Sequence, residues 1–595
     1  MRRVASTSIY GELCSHTIHI YRGVINYLDC QRFETRAGAE TDGRRLGMPV
    51  SRGVSREMIL SACREVAKGN EIVASALYGS RAAGYARKDS DYDILLVIRD
   101  YPEDVRYHYV ATKEGQLAVL AVDQDALEKD VEKGVFGDFV AGRLLTPHTA
   151  IMNEDYIRRV EVAVKKRFAE EDLEDLVLEY GELARGLTIL PMYLVFARME
   201  KRARTYSPLR YSYANILRPD LRENNLIQIL EGYSEALTQL EEEGIVKFDG
   251  KYIRFQTPFV DKVLSYKMYN KVVNFVSFSR RTFNAYITHG KAGKVTLDVV
   301  ARELTSKLKR EFQMAFHRRG LEDPKDYLFL ETEKGLLSLN KTDSIIERLR
   351  GLGGGREITA KTLGTALNEV YFIEVDGERL VAKRFTDWYN FKWFILNVVA
   401  LGTKVFSTQG KARLSNEYVT NRLLAENGIP VPEIVSVSIP DRLLVERFVE
   451  GTSVLDIVTE VLSSESFSEE YECLAFEIGR TLAKIHGLDV VLGDCKPENF
   501  ILGRDGKLYV LDLEQGGRRG DSSWDVSEFL YFSGHFGTRF SEGFRAFVEA
   551  FIRGYLTSGR PKVLRDAASP RYSKSFVAWT PMPVIQGIAE LLKRA

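Results

Sequence analysis

The sequence predicts a multidomain protein of mixed α/β and α+β class, and three observations predict it. A chain of 595 residues is longer than one hydrophobic core organises, so several domains are expected. Residues 55 to 150 set a helical period beside short apolar runs of strand length. Further on, two β-type pairs are each divided by an Asp-Gly dipeptide, at Asp249-Gly250 and Asp376-Gly377, where both residues tolerate the positive φ of a hairpin turn.

Residues 1 to 47 show no sustained period, and the run from Arg36 to Arg45 is polar and glycine-bearing. They are expected to form a disordered or spurious extension ahead of Met48, and no apolar segment follows Arg2-Arg3 to make a signal peptide. A first domain, 48–150, then opens with a helix over Glu57 to Lys68, carrying Ile59, Ala62, Cys63 and Val66 on one face. Ser55 is its expected N-cap and Gly69 its stop. Strands are expected at Ile72 to Tyr78, Tyr92 to Ile98 and Leu117 to Val122. Residues 151–345 read mostly as helix, including Leu226 to Leu240 ahead of the first Asp-Gly hairpin. The order helix, helix, hairpin resembles a winged helix. Four glycines between Leu349 and Arg356 mark a linker to a last domain, 357–595. That domain is expected to open with strands Val370 to Val375 and Arg379 to Lys383 and to become helical after Ser415.

Bulk properties exclude several classes. Lys plus Arg and Asp plus Glu are 83 each, so only the distribution of charge can speak about partners. The five cysteines (14, 30, 63, 473 and 495) form no C-x-x-C pair, which argues against a disulfide framework or a zinc site. No apolar run approaches the eighteen or so residues of a membrane span, so a cytoplasmic protein without a membrane partner is expected.

Two constellations carry chemistry. In the first, Gly79-Ser80 ends a strand and Asp91-x-Asp93 opens the next. Gly79 lets the backbone approach phosphates and Ser80 can donate to them. Asp91 and Asp93, two apart on a strand, point to one face, where their repulsion calls for a divalent cation bridging a triphosphate. The ordered set resembles the nucleotidyltransferase motif of polymerase-beta-like enzymes. That resemblance implies Mg²⁺ or Mn²⁺, a nucleoside triphosphate, and a third carboxylate from a neighbouring strand. Asp123 is the candidate by position, with Asp125 second. Arg81 and Arg87 are candidates for phosphate contact or for the solvated surface.

The second runs Asp494-x-Lys496-x-x-Asn499 ahead of an apolar strand, with Asp512 following on the next strand and Leu380-Val-Ala-Lys383 upstream. It resembles a protein-kinase catalytic centre. The resemblance implies that Lys383, fixed by Glu417, holds the α/β-phosphates of ATP. It further implies that Asn499 and Asp512 hold Mg²⁺, that Asp494 accepts the proton of the attacking hydroxyl, and that Lys496 steadies the transferring phosphoryl group. The phosphate loop, residues 363 to 368, has one glycine, Gly364. Leu492-Gly493 replaces His-Arg, Asp512-Leu-Glu514 replaces Asp-Phe-Gly, and Trp524-Asp525 follows without an Ala-Pro-Glu. In these departures the domain is similar to Rio-type kinases and to the small kinase of the archaeal and eukaryotic tRNA-threonylcarbamoylation complex, and the pairing of modules suggests an archaeal source. Asp525 is expected to tie the catalytic loop, and His486 to pack at a helix end.

Residues 251 to 320 hold fifteen Lys or Arg against four Asp or Glu, interleaved with aromatics such as Tyr252, Phe255 and Phe275. Such a stretch suits RNA or tRNA, or the basic faces of ordinary helices. The expected function is a bifunctional ATP/Mg-dependent transferase. Its C-terminal end would phosphorylate Ser or Thr of a protein, and its N-terminal end would transfer a nucleotide. The alternatives are a small-molecule kinase, or an RNA- or tRNA-associated scaffold without catalysis.

Overall fold

The computed structural model describes residues 55–205, 208–266, 321–341, 359–364, 369–375, 377–387, 407–463, 468–577 and 579–595, with short pieces between 280 and 292 and at 345–347. The expected N-terminal extension, the glycine linker, Asp376 and most of the basic 251–320 stretch lie outside the described residues. The chain divides into two compact units, residues 1–180 with 188–328, and 181–187 with 329–595. Residues expected to form a separate middle region are thus shared between the two units, most of them with the first.

The first unit opens with α1 (Arg56–Ala67), whose N-cap Ser55 Oγ accepts the Met58 N–H at 3.2 Å and whose end is marked by Lys68 and Gly69 at positive φ. Strands β1 (Ile72–Tyr78) and β2 (Tyr92–Ile98) match the expected bounds. Between β2 and the third expected strand the structure adds one more, β3 (Val105–Thr112), before β4 (Gly115–Asp123). With β5 (Thr149–Met152) they form one sheet in the order β3-β4-β2-β1-β5. Because β3 takes the edge, β4 returns between β3 and β2 and runs parallel to β2, pairing Asp93 with Ala118 and Ile98 with Asp123.

Both faces of this sheet are covered. Ile94, Leu96 and Ile98 face α1 residues Ile59, Cys63 and Val66. Leu95 and Val97 face the other way, onto Leu127 of α2 (Gln124–Lys133) and Phe168 of α3 (Glu154–Tyr180). Two-sided burial explains why β2 reads as a continuous apolar run rather than an alternating one. Beyond lie β6 (Leu187–Ile189), α4 (Met192–Thr205), α5 (Pro208–Ile216) and α6 (Arg222–Glu242). The expected hairpin follows as β7 (Val246–Asp249) and β8 (Tyr252–Phe255), its turn residues being Gly250, at φ 59°, and Lys251.

The second unit contains the hairpin β9 (Leu328–Thr332) and β10 (Gly335–Ser338). A five-stranded antiparallel sheet, β11-β12-β13-β15-β14, combines β11 (Thr359–Gly364), β12 (Glu369–Val375), β13 (Glu378–Arg384), β14 (Ile434–Ser438) and β15 (Leu443–Arg447). Helix α7 (Gly410–Glu426) stands between β13 and β14 in the chain and starts five residues before the expected Ser415. After β15 come β16 (Gly451–Ser453), the long α8 (Glu469–Gly487), β17 (Val490–Val491), β18 (Phe500–Gly503), β19 (Leu508–Val510) and β20 (Gly517–Arg518). Helices α9 (Ser522–Ser533) and α10 (Glu542–Tyr555) pack with α8 around Ile478, Leu482, Phe529, Phe547 and Phe551. A sheet-rich part followed by a helical part is the bilobal kinase-like architecture that the motifs imply.

Candidate functional sites

In the first unit the site is set by backbone geometry. Gly79 follows β1 at φ 74°, and a Cβ there would overlap the Asp93 carboxylate, so glycine is required on both counts. Tyr78 pairs with Asp93 across β1 and β2, which brings Gly79 and Ser80 over the carboxylates. Arg81 donates through Nη2 to the Ser90 carbonyl at 2.6 Å and lies 3.7 Å over the Tyr92 ring, fixing the loop that presents Asp91. Burial pushes Asp93 up to about 6, opposed by Arg143 and reinforced by Asp91. Asp91 is raised too, again by burial, with Arg81 opposing.

Gly79, Ser80, Asp91 and Asp93 line a cleft of about 530 Å³ that also takes in Arg87, Arg143, Arg202 and Tyr213. Arg143 and Arg202 were not singled out from the sequence. Arg143 Nη2 donates to Tyr107 Oη at 3.1 Å, and Arg202 Nη1 donates to the Gly142 carbonyl at 2.8 Å. Both come from stretches with no motif, and only the fold brings them to the carboxylates.

Asp123 is a correction. It pairs with Ile98, at the end of β2 remote from Asp93, five strand residues or about 16 Å away at the rise of a strand. There it caps α2, accepting the Ala126 N–H at 3.1 Å and the Tyr101 N–H at 2.9 Å. Asp125 lies in the first turn of the same helix, equally remote. The β4 residue beside Asp93 is Ala118, so β4 places no carboxylate at that pairing position. Among the described residues no group of three or more His, Cys, Asp and Glu is arranged to hold a metal ion.

In the second unit the site is built from ion pairs between elements. Lys383 on β13 pairs with Glu417 of α7 at 2.6 Å, as expected, and with Glu446 of β15 at 3.1 Å, which the sequence did not suggest. Glu417 is 1% and Glu446 2% exposed. Burial pushes Glu417 well up despite Lys383, with Glu446 and Asp512 adding to the rise. Lys383 stays firmly protonated, because Glu417, Glu446 and Asp512 together outweigh its burial. Lys496 Nζ lies 2.7 Å from Asp494 Oδ1, and Asn499 Nδ2 donates to the Asp494 carbonyl at 2.8 Å. Asp512 stands at φ 53°, and burial raises its pKa to about 7, with Glu514 and Asp494 adding to the rise while Lys383 and Lys496 oppose it. Those mutual influences place Lys383, Asp494, Lys496 and Asp512 around one centre. Gly364 ends β11, and the residues after it, 365–368, lie outside the described residues.

Several contacts hold this centre. Asp525 accepts the Leu492 and Gly493 N–H groups at 2.6 and 2.8 Å, so it ties the catalytic loop. His486 sits in the last turn of α8 between Asp525, at 3.2 Å, and Tyr555 Oη, at 2.8 Å. Arg413 of α7, fully buried, meets both oxygens of Glu514 at 3.1 Å, and Asn416 Nδ2 donates to the Glu514 carbonyl at 3.0 Å. The residue that departs from Asp-Phe-Gly therefore fastens the Asp512 turn to the helix carrying Glu417.

With the geometry in place, comparison with known proteins adds two findings. Residues 62–132 match the model of the polymerase beta nucleotidyltransferase family. The first unit contains a nucleotidyltransferase domain. The chain also has kinase homologues of the Bud32 type. It is 29% identical over 202 residues to the EKC/KEOPS complex subunit BUD32 of Encephalitozoon cuniculi, a match covering 33% of this chain and 88% of that protein. It is 28% identical over 103 residues to the KEOPS complex subunit Bud32 of Pyrococcus abyssi, covering 17% of this chain and 44% of the relative. A probable bifunctional tRNA threonylcarbamoyladenosine biosynthesis protein of Methanocaldococcus jannaschii is 25% identical over 145 residues, 24% of this chain and 25% of its own length. No helix among the described residues is long and apolar enough to cross a membrane.

Proposed function

We propose that the chain is a bifunctional transferase that uses ATP with Mg²⁺ at its C-terminal unit and a nucleoside triphosphate at its N-terminal unit. The observation that carries the reading is the Lys383–Glu417 pair at 2.6 Å, set beside Asp494, Lys496 and Asp512. Phosphoryl transfer needs positioning and charge neutralisation more than covalent chemistry, and this centre supplies both. Lys383 would neutralise the α/β-phosphates, and Lys496 would meet the charge developing on the transferred group. Asp494, held by Lys496 and by the Asn499 contact, would orient the acceptor hydroxyl and take its proton.

A hard divalent ion fits the donors present. Asp512 and Asn499 offer oxygen ligands, and a cation would favour the charged form of Asp512, which burial, with Glu514 and Asp494 adding, pushes up to about 7. Mg²⁺ held there would neutralise the β- and γ-phosphate oxygens. In the N-terminal unit Asp91 and Asp93 would hold a cation on the triphosphate, Gly79 and Ser80 would cradle its phosphates, and Arg143 and Arg202 would meet further phosphate charge. The acceptor is a protein or RNA hydroxyl for nucleotidyl transfer and a Ser or Thr hydroxyl for phosphoryl transfer. The name of one relative, a tRNA threonylcarbamoyladenosine biosynthesis protein, supports a setting in tRNA modification.

One observation favours a second reading. Helix α9 begins at Ser522, soon after Asp512, so little chain is left between them for an extended peptide platform. A small molecule is then the C-terminal acceptor. Incubation with ATP labelled at the α- or the γ-phosphate separates the activities. Asp93→Ala should abolish α-label transfer and Asp494→Ala γ-label transfer. Transfer from neither position, with both variants indistinguishable from the parent, would sink the catalytic reading and leave a scaffold whose RNA binding survives both changes.

A further inference from the structure

Lys383 is tethered twice, and the second tether belongs to its own sheet. Strands β13 and β15 are antiparallel, with Lys383 opposite Leu444 and Val381 opposite Glu446. Lys383 and Glu446 are therefore diagonal neighbours on one face, a separation that long side chains span. Their contact, 3.1 Å between Nζ and Oε2, follows from strand register alone. Glu417 reaches the same ammonium from α7, a separate element. Glu446 Oε1 and Glu417 Oε2 are both buried atoms with no hydrogen-bond partner. A buried carboxylate is costly unless it faces a positive charge, and Lys383 is the charge Glu446 meets.

We propose that Glu446 is a positioning residue for Lys383, holding the ammonium for the nucleotide's phosphates from the sheet, so that the lysine is placed whether or not α7 is seated. This rests on the phosphoryl-transfer reading above. A partner on a helix fixes the lysine only while the helix stays packed. A partner on the neighbouring hydrogen-bonded strand moves with it. Loss of either carboxylate alone is then buffered by the other, and loss of both frees the lysine.

The test uses the full chain carrying Asp93→Asn, which removes a metal carboxylate of the N-terminal unit. The Mg²⁺ complex of a nonhydrolysable ATP analogue is titrated calorimetrically into this parent and into Glu417→Gln, Glu446→Gln, the double variant and Lys383→Met made on it. Each single change should weaken binding by no more than about fivefold, and the double by roughly a hundredfold, to the level of Lys383→Met, because residues sharing one partner are not additive. Glutamine keeps the volume and loses the charge, so it rescues a packing role and not a tether. Denaturation midpoints of the two single variants should stay level or rise, since two carboxylates share one ammonium, whereas the double variant and Lys383→Met, which each leave buried charge unpaired, should unfold earlier. Should the double variant fail to fold, Glu446→Asp on the Glu417→Gln background, which keeps the charge but shortens its reach, should still bind more weakly than Glu417→Gln alone. Glu446→Gln binding like its parent on both backgrounds, with Lys383→Met weak, overturns this inference alone. So does Glu417→Gln binding as weakly as the double. Lys383→Met binding like the parent overturns the phosphoryl-transfer reading itself.

Discussion

The two candidate sites solve one electrostatic problem in different ways. Each gathers carboxylates that repel one another, and in each burial raises an aspartate, Asp93 to about 6 and Asp512 to about 7. In the N-terminal unit the carboxylates are presented by neighbouring backbone: two positions at the start of one strand, a glycine whose missing Cβ makes room, and a cleft open to solvent. In the C-terminal unit pairs reach across elements, Lys383 to Glu417 and Glu446 and Arg413 to Glu514, while Lys496 meets Asp494 within one loop. A site fixed by local backbone can be read from a short motif. A site assembled from distant partners is only partly readable, and it couples chemistry to the packing of a helix.

The comparison breaks most sharply at Asp494. If the C-terminal centre works through a positioned base, Asp494→Asn should lower γ-phosphoryl transfer by about 10²- to 10⁴-fold and leave α-label transfer unchanged. Equal loss of both labels would mean that the two units do not act separately. Next in size is the buried pair that fastens the Asp512 turn. Arg413→Met leaves Glu514 buried without its partner and should cost roughly 3 to 5 kcal/mol in chemical denaturation. Adding Glu514→Gln should recover much of it. A loss below about 1 kcal/mol for the single change would show that the pair contributes little and that α7 is seated by its other contacts.

The raised aspartates separate the sites by pH. Each is pushed up from an ordinary value of 3.8, so its contribution to stability is fully present below that value and is lost as pH rises through about 6 for Asp93 and about 7 for Asp512. Cation binding needs the charged form. Affinity for a Mg·nucleotide should therefore fall roughly tenfold per pH unit below about 7 at the C-terminal site, and below about 6 at the N-terminal one. Titrations between pH 5 and 8 on Asp93→Asn and Asp512→Asn variants isolate the two profiles. Coincident profiles would remove the distinction drawn between the environments.

How much of this was legible follows the same division. Asp91 and Asp93 share a face by strand parity, and Gly79 stands where a strand must turn, so the motif alone located the first site. The Lys383–Glu417 pair was legible from order along the chain. Glu446 was not, because its partner is set by the register of two strands some sixty residues apart in sequence. Nor was Arg413, because its partner Glu514 stands where the familiar motif has glycine. Arg143 and Arg202 come from stretches with no pattern of their own. Asp123 failed for a topological reason: the strands expected from the sequence include none between Ile98 and Leu117, yet Val105 to Thr112 forms the edge strand β3. Without β3, the third expected strand has no fixed direction. With it, β4 runs parallel to β2 and delivers its last residue to the wrong end of the sheet.

The smallest expected effect lies at Asp123. Asp123 accepts the Ala126 N–H as a helix cap, and loss of such a cap typically costs about 0.5 to 2 kcal/mol. Asp123→Ala should lower stability by that amount and leave Mn²⁺ and nucleotide binding at Asp91 and Asp93 unchanged. Asp123→Ser, which keeps a capping oxygen without the charge, should restore most of the stability. A third metal carboxylate would behave in the opposite way, with binding lost in both variants and stability nearly untouched. Measuring the denaturation midpoint and Mn²⁺ affinity on the same two proteins decides whether the end of β4 serves the helix or the cleft.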